Sequence, residues 1–403
     1  MTDKLLELSR KRDSIVIFRC LAGNETVLNL LKLLDSDTED VSEYICRYGN
    51  FVFSLYTEGT ANLSEFLLKT VLESENVYLF NFLKYKKTEI PMQEALFHEL
   101  QFLQELSQLT PEDFMEEIEY DGFMPRWETS PIDFIGSYQE RLKLINHYGY
   151  GIWASNKMFI LKNDEIQPVE YPDTQKLSEL FGYENERKAV IDNTLALLNG
   201  NPAHNVLLYG DAGTGKSSTV KAIVNQYYDM GLRLIQISKK QFSSLPDIID
   251  EITDNPLKFI IFIDDLSFSS DDDSYSELKA VLEGSVSARS ENAVIYATSN
   301  RRHLVKESFS DRDGDDIHRN DTMQEKLSLS ARFGLRVNFS RPDKNSYTSI
   351  VRQLALLNDI DMNEEKLNLK AEQFAVSSGN GRSPRTAKQF INQLINERKN
   401  NND

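Results

Sequence analysis

Apolar residues in the first part of this chain recur at steps of three and four. In residues 94–106 the positions Leu96, Phe97, Leu100, Leu103 and Leu106 form one such stripe, and residues 63–83 repeat the pattern. Amphipathic helices are therefore predicted from residue 5 to about residue 110. Such stripes either pack on one another or cover a partner, and the spacing alone does not separate the two. Between residues 122 and 167 aromatics gather, with Trp127, Phe134, Tyr138, Tyr148, Tyr150 and Trp153. The run 157–162, followed by Asn163 and Asp164, predicts a strand and a turn. This stretch reads as a small mixed segment closing a mainly α-helical N-terminal region, residues 1–170, with Pro168 and Pro172 marking a linker.

From residue 175 the period changes. Short apolar runs at 205–209, 232–237, 258–263, 293–298 and 335–339 alternate with helical stretches. That alternation predicts a parallel sheet covered by helices on both faces. Pro342 ends it, and residues 347–357, 367–376 and 386–397 carry helical periodicity only. The expected fold class is α/β: a parallel-sheet domain at 175–341 and a small all-α C-terminal unit at 342–398, preceded by the helical region. Residues 267–276 and 307–324 are too hydrophilic to pack and are expected to be mobile. Within the first, Asp271, Asp272 and Asp273 read as a solvated acidic loop rather than a metal site, because nothing at ligand spacing joins them.

Composition narrows the function classes. The chain has 403 residues, 40% hydrophobic and 27% charged, which is ordinary globular usage and enough for more than one core. No run approaches the roughly 18 apolar residues that cross a bilayer, and the start of the chain lacks the apolar core of a signal peptide. It reads as soluble and cytoplasmic, with no membrane partner. Cys20 and Cys46 sit among apolar neighbours and read as buried, reduced thiols, while five scattered histidines form no metal constellation. A net charge of −18 opposes binding to a nucleic-acid backbone. Lys239 with Lys240, Arg301 with Arg302, and Arg382 with Arg385 are the local basic clusters.

The strongest chemical signal follows the run 205–209. Gly210, Asp211, Ala212, Gly213, Thr214, Gly215, Lys216 and Ser217 satisfy the phosphate-loop (Walker A) pattern G-x-x-x-x-G-K-[ST], with Ser218 continuing into a helix. Glycines let successive backbone N–H groups curl toward an anion, and the helix that follows aims its positive end at the same point. Lys216 is placed to reach the β- and γ-phosphates, and the Ser217 hydroxyl to ligate Mg²⁺. Residues 258–263 end in Asp264 and Asp265, a Walker B arrangement in which Asp264 holds the metal and Asp265 orients and deprotonates the attacking water. Residues 293–298 lead to Ser299 and Asn300, whose amide, both donor and acceptor, can bond a γ-phosphate and a water at once.

The order of phosphate loop, acidic strand end, Thr298-Ser299-Asn300, Ser330-Ala331-Arg332-Phe333 and the segment 381–385 (GRSPR) in a helical tail resembles the AAA+ ATPases over residues 175–398. Segments 262–268 (FIDDLSF), 278–284 (LKAVLEG), 297–304 (ATSNRRHL) and 325–334 (EKLSLSARFG) are similar to DUF815, a bacterial family of ATP-binding proteins, as are 168–172 (PVEYP) and 180–184 (LFGYE). The resemblance implies ATP and Mg²⁺ as ligands, Asn300 as the sensor-1 amide, Arg332 as an arginine finger reaching a neighbouring subunit, and Arg385 as the sensor-2 residue of a lid. It also places Leu180, Phe181, Gly182 and Tyr183 beside adenine. A homo-oligomer follows from a finger acting in trans, and the target is an unidentified protein or, against the net charge, a nucleic acid. Most AAA+ enzymes carry Asp-Glu at the acidic strand end. Asp265 withdraws the second carboxylate by roughly 1.5 Å, and 1 Å errors in catalytic placement cost about a hundredfold. Slow hydrolysis, and a nucleotide-gated switch or loader in place of a fast motor, is the alternative expectation.

Overall fold

A computed structural model describes residues 3–35, 40–268, 274–283, 291–300 and 329–400. The chain divides into two compact units, Met1–Ser155 and Asn156–Asp403. Residues 269–273, 301–302 and 307–324, which hold the triple Asp, the Arg301–Arg302 pair and the second hydrophilic stretch, lie outside the described residues.

The first unit is helical: α1 (Asp3–Arg12), α2 (Glu25–Leu34), α3 (Val41–Thr57), α4 (Leu63–Glu73), α5 (Val77–Tyr85), α6 (Ile90–Ser107), α7 (Pro111–Met115), α8 (Phe134–Lys143), and the single turns α9 (Ile145–Tyr148) and α10 (Ile152–Ser155). Asn24, Asp40, Asn62, Asn76, Thr110 and Asp133 cap helix starts through side-chain oxygens, each satisfying an orphan N–H. The apolar stripes pack on one another. Leu96, Leu100, Leu103 and Leu106 of α6 join one core with residues from Leu5 to Tyr138, each buried aliphatic side chain contributing about 1.5–3 kcal/mol. Phe97 is the exception in its stripe, 46% exposed, because it sits one position off the buried face. Trp127 stacks edge-on against Phe51 and donates from Nε1 to the Leu109 carbonyl at 2.8 Å, so the aromatic segment completes this core. Glu99, also buried, accepts from the amides of Val16, Ile17 and Phe18 at 2.8–3.0 Å and fixes the turn after α1. Both cysteines are free, but exposed rather than buried. Helical stripes leave polar-face positions open even among apolar sequence neighbours, and Cys46 lies on such a face of α3.

The second unit opens with β1 (Met158–Lys162) and β2 (Glu165–Pro168), followed by α11 (Glu184–Leu198), β3 (Val206–Gly210), α12 (Lys216–Tyr227), β4 (Leu232–Ile237), α13 (Leu245–Thr253), β5 (Lys258–Ile263), α14 (Ser274–Glu283), β6 (Ala293–Ser299) and β7 (Leu335–Phe339). Three tail helices end it: α15 (Lys344–Leu357), α16 (Glu364–Ser377) and α17 (Pro384–Asn400). The sheet runs β2-β1-β4-β5-β6-β3-β7, parallel throughout except for the β1–β2 hairpin. The strand at Met158–Lys162 therefore belongs to this sheet, pairing with β4, and not to the helical region that its sequence neighbours suggest. Hairpin chemistry is visible locally, whereas a parallel partner some seventy residues on is not. Residues 259–263 of β5 are all buried, as burial on both faces requires, and Val220, Ile223 and Val224 of α12 pack against one face. The tail helices close their own core around Tyr347, Val351, Leu367, Ala371, Phe390 and Ile391, with Phe181 packed against it.

Candidate functional site

In a parallel sheet all strands point the same way, so loops after their carboxyl ends share one edge, where open α/β sheets receive ligands. Here β5, β6 and β3 are consecutive neighbours. Their ends deliver Asp264 and Asp265, Asn300, and the phosphate loop to a single place. The loop's geometry needs its glycines. Gly210 has φ +131°, and a Cβ there would meet the Phe339 carbonyl oxygen at 2.3 Å. Gly213 has φ +78° with Ser383 and Arg385 at 3.2 Å, which lets the tail approach the loop backbone. The Arg385 amide donates to the Gly213 carbonyl at 3.2 Å, joining the start of α17 to the loop.

Lys216 opens α12 and is 6% exposed. Its ammonium donates to the carbonyls of Gly210 (3.0 Å) and Asp211 (2.7 Å) and to Asn300 Oδ1 (3.0 Å). Burial pushes its pKa below the ordinary 10.5, opposed by the carboxylates of Asp211, Asp265 and Asp264. The Ser217 hydroxyl donates to Asp264 Oδ1 at 2.6 Å, and Asn300 Nδ2 donates to Asp265 Oδ1 at 2.8 Å. Asn300 thus spans the lysine and the second acid, using its acceptor on one and its donor on the other. Asp211, a variable position of the loop pattern, accepts from the Arg341 amide at 2.8 Å.

A cavity of about 740 Å³ opens at this edge. Residues 212–218, Asp264, Asp265, Asn300 and Arg385 line it, together with an apolar end made by Leu180, Phe181, Ile350, Leu354 and Ile391. Gly210 and Asp211 support the loop from outside the lining. Gly182 and Tyr183 are likewise not part of it. Both have positive φ, 71° and 59°, and the turn directs the Tyr183 ring onto Phe339 at 5.2 Å and its hydroxyl to the Ser340 carbonyl at 2.6 Å. Tyr183 is thereby a strut between the start of α11 and the chain leaving β7. Arg332 is exposed and does not line the cavity of its own chain. Of the basic clusters, Arg382 forms a two-pronged pair with Glu372 in the tail, and Lys239 donates to the Ser267 carbonyl at 3.0 Å.

Arg187 and Lys388 are among the lining residues that the motifs do not mark. Arg187 on α11, 9% exposed, and Lys388, one turn beyond Arg385, add cationic groups to the wall. Their spacing from Tyr183 and Arg385 was the available signal. Thr298 also lines the cavity, but a threonine ending a buried strand is compositionally ordinary. Among the described residues, no cluster of His, Cys, Asp and Glu forms a preassembled metal cage, and no helix is long and apolar enough to cross a membrane.

The parallel sheet, the phosphate loop at its carboxyl edge and the helical tail define an AAA+ ATPase-like fold. Residues 154–398 match the family described as "Protein of unknown function (DUF815)", and the chain belongs to that family. No curated protein matches it. Among solved structures it is similar to the Holliday junction branch migration motor RuvB of Thermotoga maritima, at 16% identity and a TM-score of 0.38, over 55% of this chain and 64% of that one. A mutant of the same motor is similar at 17% identity and a TM-score of 0.38, over 55% and 65%. The chain thus spans less than two thirds of those proteins' length.

Proposed function

We propose that this protein binds Mg-ATP and hydrolyses it, coupling both events to movement of the helical tail against the sheet. The observation that carries this reading is the single cavity in which the phosphate loop, both strand-end acids, Asn300 and the tail's Arg385 meet. ATP has a place for each part. The apolar end suits a base, and the loop amides with Lys216 suit phosphates. Ser217 and Asp264, hydrogen-bonded to each other, offer two hard oxygens of the kind Mg²⁺ takes. Bound there, the metal would neutralise charge between the β- and γ-phosphates.

In hydrolysis, Asp265 accepts the proton of the attacking water as oxygen joins the γ-phosphorus and the bond to the β–γ bridging oxygen breaks, leaving ADP and phosphate. Lys216 and Arg385 stabilise the charge spread over the phosphoryl oxygens. Asn300 positions the water and the γ-phosphate. Arg332, outside its own cavity, serves as the finger of a neighbouring copy in a homo-oligomer. The helical N-terminal region recognises the target, a protein before a nucleic acid given the net charge of −18.

A specific observation supports the slower alternative. Asp265 is the shorter acid, and its Oδ1 already accepts from Asn300. Steady-state turnover of wild type, Lys216→Ala and Asp265→Asn, each paired with an ATP-binding titration, separates the readings. A motor turns over steadily, Lys216→Ala loses binding, and Asp265→Asn binds but stalls. A switch binds tightly with almost no turnover in the wild type. Absence of ATP binding by the wild type contradicts both.

A further inference from the structure

Three successive residues at the end of β5 are fastened to one residue of β6. Thr298 Oγ1 donates to Asp264 Oδ1 at 2.6 Å and accepts from the Asp265 amide at 2.9 Å, while the Thr298 carbonyl accepts from the Leu266 amide at 2.7 Å. The residue is 2% exposed, and its one hydroxyl uses donor and acceptor together. Between those anchors Asp265 takes the left-handed conformation, φ +54°. That backbone costs about 1–3 kcal/mol where nothing enforces it, and aspartate is among the side chains that tolerate it best. The parallel ladder, Ile263 opposite Ala297, would carry the chain straight on. Capture of the Asp265 amide by a side chain instead of a ladder carbonyl turns the chain, and the Asp265 carboxylate comes to lie 2.8 Å from Asn300.

We infer that Thr298 is a positioning residue for the acidic pair: its hydroxyl sets where the Asp264 oxygen sits beside Ser217 and fixes the turn that aims Asp265 into the cavity. The inference rests on the Mg-ATP reading above. Both Thr298 oxygens are engaged by the acidic strand end, Oγ1 by Asp264 and Asp265 and the carbonyl by Leu266. Valine has the same shape without the hydroxyl, and serine has the hydroxyl without the methyl.

The test is calorimetric titration of ATP with and without Mg²⁺, alongside turnover, for wild type, Thr298→Val and Thr298→Ser. Removing such an outer-shell partner typically costs about 10–100-fold in metal affinity or activity. Thr298→Val is expected to keep metal-free ATP affinity within about twofold while losing that much of the Mg²⁺ enhancement and of kcat, with Thr298→Ser recovering both to within about threefold. Thr298→Ala, which adds no volume, replaces the valine variant should that one not fold. The inference is overturned if the valine variant keeps wild-type Mg²⁺ enhancement and turnover. It is equally overturned if serine falls as far as valine, or if metal-free binding collapses with the rest, since either result makes the role packing. A wild type that binds no ATP is recognisably different: it removes the nucleotide reading, and this inference with it.

Discussion

Lys216 shows how much one side chain is asked to do. Its ammonium is buried, which favours the neutral form, and three oxygens together with nearby carboxylates favour the charged one. Burial wins, so the pKa lies below the ordinary 10.5. A lysine with a lowered folded pKa loses its proton earlier as pH rises, and phosphate affinity depends on that proton. Nucleotide affinity measured from about pH 7 to pH 10 should therefore fall before an ordinary exposed lysine would titrate. A decline that begins no earlier than the ordinary lysine range contradicts the lowered pKa of Lys216. The motif made Lys216, Ser217 and the loop legible from sequence because fixed spacing encodes them. Gly182 and Tyr183, expected beside adenine, lie outside the cavity lining because a left-handed turn, which spacing does not announce, sends the Tyr183 side chain to Phe339 and Ser340.

At the scale of elements, the strands of the parallel core and the helices of the tail follow from periodicity to within a few residues. Each buries enough apolar surface for its pattern to be unambiguous. What periodicity hides is the partner. The strand Met158–Lys162 is a local hairpin by sequence and an extension of the parallel sheet in space, because its β4 partner is chosen by long-range packing. Glu99 is similar: a charged residue within an amphipathic helix predicts solvent, yet it is 6% exposed and tethers a distant turn. Glu99→Ala leaves three backbone N–H groups without their acceptor. Each buried unsatisfied donor costs about 1–3 kcal/mol, so chemical denaturation should show the helical unit losing roughly that much or more, with Glu99→Gln less affected. An unchanged midpoint would show that water replaces the carboxylate.

For the whole molecule, the site is assembled by topology: β5, β6 and β3 lie side by side, and the tail reaches back to Gly213 through the Arg385 amide. A ligand touching loop and tail at once couples its own binding to their relative position. Arg332 stands apart, outside the cavity of its chain, and its proposed role requires a second copy. Mixing Lys216→Ala with Arg332→Ala subunits, each inactive alone, should restore part of the turnover, because a mixed interface pairs an intact loop with an intact finger. Assembly of the mixture without any recovery would remove the trans role.

The loop at Gly210–Ser217 is proposed to hold the phosphates of ATP through Lys216. Calorimetric titration of the full chain with Mg-ATP tests it most directly. Saturable binding by the wild type is expected, with loss of at least about tenfold in affinity for a folded Lys216→Ala, the scale of one charge-assisted contact. Equal binding by the two proteins, or no binding by the wild type, would contradict it.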